Sequence, residues 1–425
     1  MRIAVIGSGV AGCLVAHRLA PQHEVTVFEA QSRTGGHVHT HELERDGHCY
    51  RVDSGFIVYN ERTYPRFSAL LAELGVDSQP SPMSFSVRDD RAGLEYNGTS
   101  FNTLFAQRRN LLRPSFWRMV RDILRFNREA PALLRAGAPD VSLSEYLKER
   151  KYSREFVEHY LVPMGSAIWS TDPARLLQFP ARFFVRFFDH HGMLTVNGRP
   201  QWRVVRGGSE TYLRRLTAGF QDRIRLDCPV RELTRGGGQV WVRAGGDSRQ
   251  RFDAAFVACH SDEALALLGD ADASERAVLG AIPYQKNEAV LHTDTRLLPR
   301  SALARAAWNY QVPGEPGRGA SVTYHMGILQ SLDVTPPFLV TLNAGSTIDP
   351  STILTRMHYA HPLFTPAAIV AQASHRAING VRGTYYCGAY WGFGFHEDAV
   401  VSAERALRHF AADRDAVSLP QRVRA

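Results

Sequence analysis

The stretch Gly7-Ser8-Gly9-Val10-Ala11-Gly12 decides the fold. It follows an apolar strand, Arg2–Ile6, and opens a helix predicted over Ala11–Ala20; a second strand, Glu24–Glu29, closes the unit. A lone GxGxxG carries little information, but in this strand–turn–helix–strand setting it specifies a dinucleotide-binding βαβ unit. Gly7 permits the tight turn, Gly9 lets the backbone approach a pyrophosphate, and Gly12 allows the helix to pack closely on the strand. The amides at the helix start, Val10 and Ala11 among them, offer donors to the phosphates. Glu29, with Ala30 beside it, ends the second strand where a carboxylate accepts from ribose hydroxyls.

Two more glycine-bearing segments decide which dinucleotide. Arg33-Thr34-Gly35-Gly36-His37 begins shortly after Glu29 and resembles the second glycine pair of FAD enzymes of the glutathione-reductase-like group, where glycine permits close backbone approach to the cofactor. Near the C-terminus, Tyr386-Cys387-Gly388-Ala389-Tyr390-Trp391-Gly392-Phe393-Gly394-Phe395-His396-Glu397-Asp398 reads as a strand, a glycine turn and a helix starting near Glu397. A helix N-terminus there stabilises negative charge on a reduced flavin or its ribityl-phosphate arm. Glu397 and Asp398 read equally as partners of the helix dipole.

The chain has 425 residues, room for two domains and a large core. With 44% hydrophobic and 22% charged residues, disordered and fibrous classes are excluded. Cys13, Cys49, Cys228, Cys259 and Cys387 form no CxxC pair, the pattern of reduced thiols and not of a disulfide framework or zinc site. No apolar run approaches the ~18 residues of a membrane span, and the apolar start is broken by Gly7 and Gly9, so it reads as a strand and not a signal peptide. The expected location is the cytoplasm. Of the 50 basic residues only Lys148, Lys151 and Lys286 are lysine, and the net charge is +8. Such a surface suits an anionic membrane or an acidic substrate, or simply reflects a GC-rich genome; no nucleic-acid module is visible, so no nucleic-acid partner is expected.

Short strands recur at Ile224–Leu226, Gln239–Arg243 and Ala254–Ala258, whereas residues 76–200 show helical periodicities rich in Phe, Trp and Arg, without the short buried strands of a parallel sheet. The predicted fold is therefore α/β: a discontinuous Rossmann-like FAD-binding domain made of residues 1–75, 200–280 and 375–425, with an inserted α+β substrate domain made of 76–199 and 281–374.

These residues resemble the flavin-containing amine oxidase superfamily, which includes monoamine oxidases, protoporphyrinogen oxidase and phytoene desaturases. Asp53-Ser54-Gly55-Phe56-Ile57-Val58-Tyr59-Asn60-Glu61-Arg62-Thr63-Tyr64-Pro65, Pro163–Ser170, Trp308-Asn309-Tyr310, Tyr359-Ala360-His361-Pro362 and Gly394–Asp398 resemble more closely a bacterial subfamily of NAD/FAD-binding proteins associated with cyclopropane-fatty-acid-synthase-like enzymes. The resemblance implies FAD, held by the residues above and by Gly55, Phe56, Val230 against the adenine, Ala258 near the pyrophosphate, and Gly388, Gly394, Phe395 and Ala399. It also implies departures: Ala399 and Ala403 replace glycines, Gly327 an asparagine and Glu210 an arginine. Cys387 does not sit in the motif of covalent flavin attachment, so dissociable FAD is expected.

For chemistry, Lys286 in Tyr284-Gln285-Lys286-Asn287-Glu288, just before a strand predicted over Ala289–His292, matches the lysine that amine oxidases bond through water to flavin N5; it reads alternatively as a solvated strand-start lysine. His396 reads as a proton acceptor, or as a cofactor hydrogen-bond partner. His37, His39 and His41 alternate as on a strand face, but the glycines before His37 place it at the flavin, so no metal is expected. Phe116–Arg128 is an amphipathic helix with Phe116, Trp117, Met119, Val120, Ile123, Leu124 and Phe126 on one half and Arg118, Arg121, Asp122, Arg125 and Arg128 on the other, suited to an anionic membrane interface or to core packing. The aromatic run Phe183–Phe188 suits a core or an apolar channel. The expected activity is FAD-dependent oxidation of an apolar, lipid-class substrate by hydride transfer to flavin N5, through desaturation or isomerisation of an unsaturated or methyl-branched fatty acyl chain. The electron acceptor is left open. An amine oxidase and a redox- or light-sensing flavoprotein are the alternatives.

Overall fold

In a computed structural model, which describes residues 1–137, 140–246, 249–312 and 321–418, the strand Arg2–Ile6 lies at the centre of a parallel sheet. The strand order is Ile224–Arg225, Glu24–Phe28, Arg2–Ile6, Ala254–Val257, Thr384–Tyr386. Ile3, Ala4 and Val5 are fully buried, the continuous apolar run of a strand covered on both faces. One face carries the helix Val10–Leu19, packed against the C-terminal helix His396–Ser418 through Ala11, Ala16, Ala399, Ala403 and Ala406. The other face carries an antiparallel meander, Val230–Gly236, Gln239–Ala244 and Arg249–Phe252. The fold is α/β, and the strands expected in this sheet and the meander are observed within one residue of their expected limits.

A second, seven-stranded sheet runs Ile353–Pro362, Tyr284–His292, Leu339–Leu342, Ser321–His325, Trp308–Gln311, Phe85–Asp89, Leu94–Asn97. Here the expectation of helical character for residues 76–200 is corrected: Phe85–Asp89 pairs parallel with Trp308–Gln311, and Leu94–Asn97 pairs with it in turn. Polar residues in the buried Leu94–Asn97 hid the strand. Glu95 accepts from the amides of Arg300 and Ser301, and the Asn97 side-chain amide donates to the Arg305 carbonyl, so distant chain satisfies what local sequence leaves polar.

The rest of the inserted region is helical and built on aromatic contacts among Trp169, Phe179, Phe183, Phe184 and Phe187. A π-helical turn, Val157–Leu161, precedes the helix Val162–Trp169. Its cause is Pro163, which has no N–H to offer the His159 carbonyl. The Tyr96 hydroxyl supplies that donor at 2.6 Å. No helix among the described residues is long and apolar enough to cross a membrane.

Candidate active site

One cavity of about 1650 Å³ runs from the ends of the parallel strands to the aromatic helices. Single-ligand sites typically occupy about 300–1,000 Å³, so this volume accommodates a dinucleotide and a second molecule end to end. Its position outside the carboxyl ends of a parallel sheet is where doubly wound folds bind nucleotides.

At the nucleotide end the walls are backbone. Gly7 turns the chain at φ +99° and its amide donates to the Phe28 carbonyl at 2.8 Å. A Cβ on Gly12 would lie 2.0 Å from the Gly7 carbonyl oxygen, so only glycine lets the helix approach; Gly12 supports the cavity without lining it. A Cβ on Gly9 would meet no protein atom within 4 Å and would enter the cavity wall. Val10 and Ala11 line the same wall at the helix start. Glu29 accepts from the amide and hydroxyl of Ser8, at 2.9 and 2.6 Å, and from the Gln31 amide at 2.9 Å, and it lines the cavity with Ala30, Val230 and Ala258. The second glycine loop closes on the first, the Gly35 amide donating to the Ser8 carbonyl at 3.0 Å. Arg33 clamps that loop by donating to the carbonyls of Gly36 and Val38. Gly55 touches the His37 carbonyl so closely that a Cβ would lie 2.1 Å away. His37 is half-buried at the cavity wall, its Nε2 atom out of contact with solvent and without a partner, and desolvation holds it neutral, well below the ordinary histidine range. An unpaired buried polar atom facing a cavity fits a polar ligand group.

The C-terminal segment meets this wall from the other side. Gly388, Gly394 (φ +93°), Phe395, His396 and Ala399 all line the cavity, as does Phe56. His396 stacks on Phe56 at 3.5 Å between centroids, its Nε2 lies 3.0 Å from the Tyr212 hydroxyl, and burial pulls its pKa down to about 3. The Phe56 ring and the Tyr212 hydroxyl hold His396 in place, and burial favours its neutral form. Glu397 and Asp398, expected at the cofactor, do not line the cavity. Glu397 accepts from the amides of Arg66 and Phe67, capping the helix Pro65–Glu73. Asp398 accepts from the Phe395 amide at 2.9 Å, and burial raises its pKa to about 7. Cys387 is buried and does not line the cavity.

At the far end, side chains make the walls. Lys286 lines the cavity from within Tyr284–His292, a strand that begins five residues before the expected Ala289 because it pairs along its whole length with Ile353–Pro362. Lys286 stands opposite Ala360, with no carboxylate partner among the described residues. Tyr359 stacks over His37 at 5.0 Å and bonds Ser54 at 3.0 Å. His39 and His41 lie side by side. Only His41 lies in a strand, the rings sit 4.0 Å apart, and burial lowers their pKa values to about 3 and 4. The described residues hold no cluster of three metal ligands. Tyr160, Met164 and Ile168 follow one face of the helix past the π-turn, and Phe187, Phe188, Tyr96, Tyr324 and Arg199 complete the wall. Sequence reasoning missed Tyr96, Tyr160, Tyr324 and Arg199. Pro163 inside an apolar helical run was a signal for Tyr160; the other three had none.

Residues 10–301, more than half of the chain, match the profile of the flavin-containing amine oxidoreductases. The chain is 41% identical over 59 residues to a 4,4'-diapophytoene desaturase of Staphylococcus aureus, a segment that is 14% of this chain and 11% of that protein. It covers no more than 12% of the length of the curated relatives it matches. Its fold is similar to that of a cyclohexylamine oxidase from Brevibacterium oxydans (TM-score 0.70, 14% identity, 98% of this chain and 99% of that one). It is similar also to a fatty acid isomerase from P. acnes that produces CLA (TM-score 0.67, 14% identity, 96% and 98%). Glycine-built walls, a ribose-position carboxylate and a helix N-terminus meeting at one cavity fit FAD, and with the family match they lead to one conclusion: the chain belongs to the flavin-containing amine oxidoreductase family.

Proposed function

We propose that this oxidoreductase acts on an unsaturated or methyl-branched fatty acyl chain, by desaturation or isomerisation. The observation that carries this reading is the charge and polarity of the cavity beyond the nucleotide end. Its walls there are mostly Phe, Trp, Tyr, Met and Ile side chains, with neutral polar groups such as Ser84, Ser170, His191 and Gln201 among them. The cavity-lining carboxylates among the described residues, Glu29 and Glu263, belong to the loop and helix that follow the parallel strands. The cations that line it beyond the glycine loops are Lys286 and Arg199. An ammonium substrate needs a compensating anion when it leaves water. A carboxylate- or phosphate-headed lipid instead finds a cation and an apolar channel.

When bound, FAD supplies a two-electron acceptor for a C–H bond held against it. The chain's own residues orient that bond: Tyr359, Trp308 and Tyr324 flank the passage, and Phe187 and Phe188 exclude water from it. Lys286 is the one lysine at the cavity, and in this reading its ammonium reaches the cofactor through water. Desaturation requires an external electron acceptor and gives a product lighter by one pair of hydrogens. Isomerisation is redox-neutral and leaves the mass unchanged.

The test is anaerobic bleaching of the flavin band by a panel of fatty acids, phospholipids, amines and NAD(P)H, with product masses determined. Desaturation is expected to bleach the flavin fast with unsaturated or branched lipids, isomerisation to give a product of unchanged mass with a moved double bond and no net bleaching, and NAD(P)H to be slow or inert. Fast bleaching by a primary or secondary amine with lipids inert overturns the proposal in favour of amine oxidation. A flavin that no substrate bleaches, with no lipid product formed, but whose redox state or illumination alters partner binding, overturns it in favour of a sensor.

A further inference from the structure

One exposed part of the cavity lining adjoins an unusual surface. Gly98 and Thr99 line the cavity, and the chain then enters the short helix Phe101–Leu104 and the 3-10 turn Arg108–Leu112. Phe101 is 68% exposed, Leu112 88% and Trp117 43%. They form one patch: Phe105 is buried between Phe101 and Trp117, at 4.7 and 5.3 Å between centroids, and the Trp117 indole donates to the Leu111 carbonyl at 2.9 Å. Monomeric proteins expose scattered apolar side chains, but a contiguous aromatic patch marks an interaction site.

The charges around the patch say what covers it. Arg108 donates to the carbonyls of Asn102 and Phe105, Arg109 to that of Gly93, and Arg113 to the Asn110 side chain. All three meet neutral oxygens, and none has an ion pair among the described residues. Farther along the helix Pro114–Glu129, Arg118 pairs with Glu155, and Arg125 with Glu129 while lying over Tyr152. Asp122, expected on the solvated half, is buried and accepts from the Ser153 amide. The polar half of that helix is therefore largely neutralised against its own fold, and the uncompensated positive charge is concentrated at its N-terminal end.

We propose that the segment 101–117 docks this protein on an anionic lipid bilayer, Phe101, Leu112 and Trp117 entering the interface and Arg108, Arg109 and Arg113 meeting lipid phosphates. The site is distinct from the helical arginine face that sequence periodicity suggests. Apolar side chains ringed by basic ones are the composition of an interfacial anchor. Docking by itself stands on the patch. Its second consequence, that the cavity receives its acyl chain from the membrane past the exposed lining at Gly98–Thr99, rests on the lipid-substrate reading above.

The test uses the FAD-loaded full chain and sedimentation with vesicles of phosphatidylcholine, with and without phosphatidylglycerol. The expected result is salt-sensitive binding to the phosphatidylglycerol vesicles. Each arginine near such a surface contributes about fivefold, so R108E/R109E/R113E should weaken partition by at least 100-fold in order of magnitude. F101S/L112S/W117S should also release the protein, while R121E/R128E should retain most of the binding. FAD content and thermal midpoint confirm that the variants fold. Absent wild-type binding overturns the proposal, as does loss in R121E/R128E equal to that in the first variant. A wild-type dimer that F101S/L112S/W117S converts to monomer, without vesicle binding, overturns it by making the patch a contact with a second copy. Conversion of detergent-dispersed lipid separates the two readings. If lipid is converted but vesicles do not bind, docking fails and the substrate reading survives; binding without conversion is the reverse.

Discussion

The two ends of the cavity are made of different materials. At the nucleotide end the wall is backbone, and the chain approaches itself so closely that a methyl group at Gly12 or Gly55 would lie 2.0 or 2.1 Å from a carbonyl oxygen. At the far end the wall is aromatic and aliphatic side chains from elements scattered between Phe85 and Phe364, packed ring against ring. A wall of backbone forbids specific side chains at specific positions, so it leaves a short, spaced signature. A wall of side chains requires only total volume and shape, which many sequences supply, so it leaves almost none.

Gly12→Val breaks the contrast most severely. The added side chain collides with the Gly7 carbonyl, and the expected outcome is protein without stoichiometric FAD. Full FAD content in this variant would show that the glycine turn is not the nucleotide site. Trp169→Ala attacks the other end. It removes a buried ring from the Phe179–Phe187 cluster and should cost about 3–5 kcal/mol in chemical denaturation while folded molecules still carry FAD. Loss of FAD at unchanged stability would mean the two ends are not separable.

Between the two ends, His37, His361 and His396 line the cavity, His396 buried and the other two half-buried, and desolvation lowers each below the ordinary value; His361 falls to about 4 and His396 to about 3. A histidine depressed in the folded state is protonated first in the unfolded chain, so its stabilisation is complete above pH 6.5 and lost as pH falls toward its folded value. Stability should therefore drop between pH 6.5 and 4. His396→Gln should make that slope shallower by about 1.4 kcal/mol per pH unit. An unaltered slope would show that His396 does not take up a proton on unfolding in that range.

Gly9→Ala sharpens the comparison more gently. Its methyl meets no protein atom, so folding should be nearly unaffected while FAD affinity falls, as read by apoprotein reconstitution. Lys286→Met should change stability least, within about 0.5 kcal/mol, and should slow flavin reduction or reoxidation. Wild-type rates in both half-reactions would leave Lys286 without a part in the chemistry.

Much of the nucleotide site was legible because its elements are local. The strand–glycine–helix unit is contiguous, and Glu29 receives Ser8 by direct consequence of the parallel pairing of Arg2–Ile6 with Glu24–Phe28. Near the C-terminus the same logic located a helix start, which the structure puts at His396, but not the partners of its acidic residues. Glu397 lies in the first turn, as an acidic helix starter should, yet its carboxylate serves the amides of Arg66 and Phe67 on another helix. Asp122 showed a similar error, its helical position implying solvent and Ser153 claiming it instead.

The sequence by itself determined that a dinucleotide is bound, where its pyrophosphate turn lies, and that the scaffold is a parallel sheet assembled from separated segments. Those properties follow from backbone geometry at fixed spacing, and backbone constraints act over a few residues. Only the tertiary structure decided that His396 is packed and bonded, that the strands Phe85–Asp89 and Leu94–Asn97 join the second sheet, and that Arg108, Arg109 and Arg113 remain uncompensated while Arg118 and Arg125 do not. Each of these depends on a partner distant in the chain, and burial and pairing are properties of that partner as much as of the residue itself.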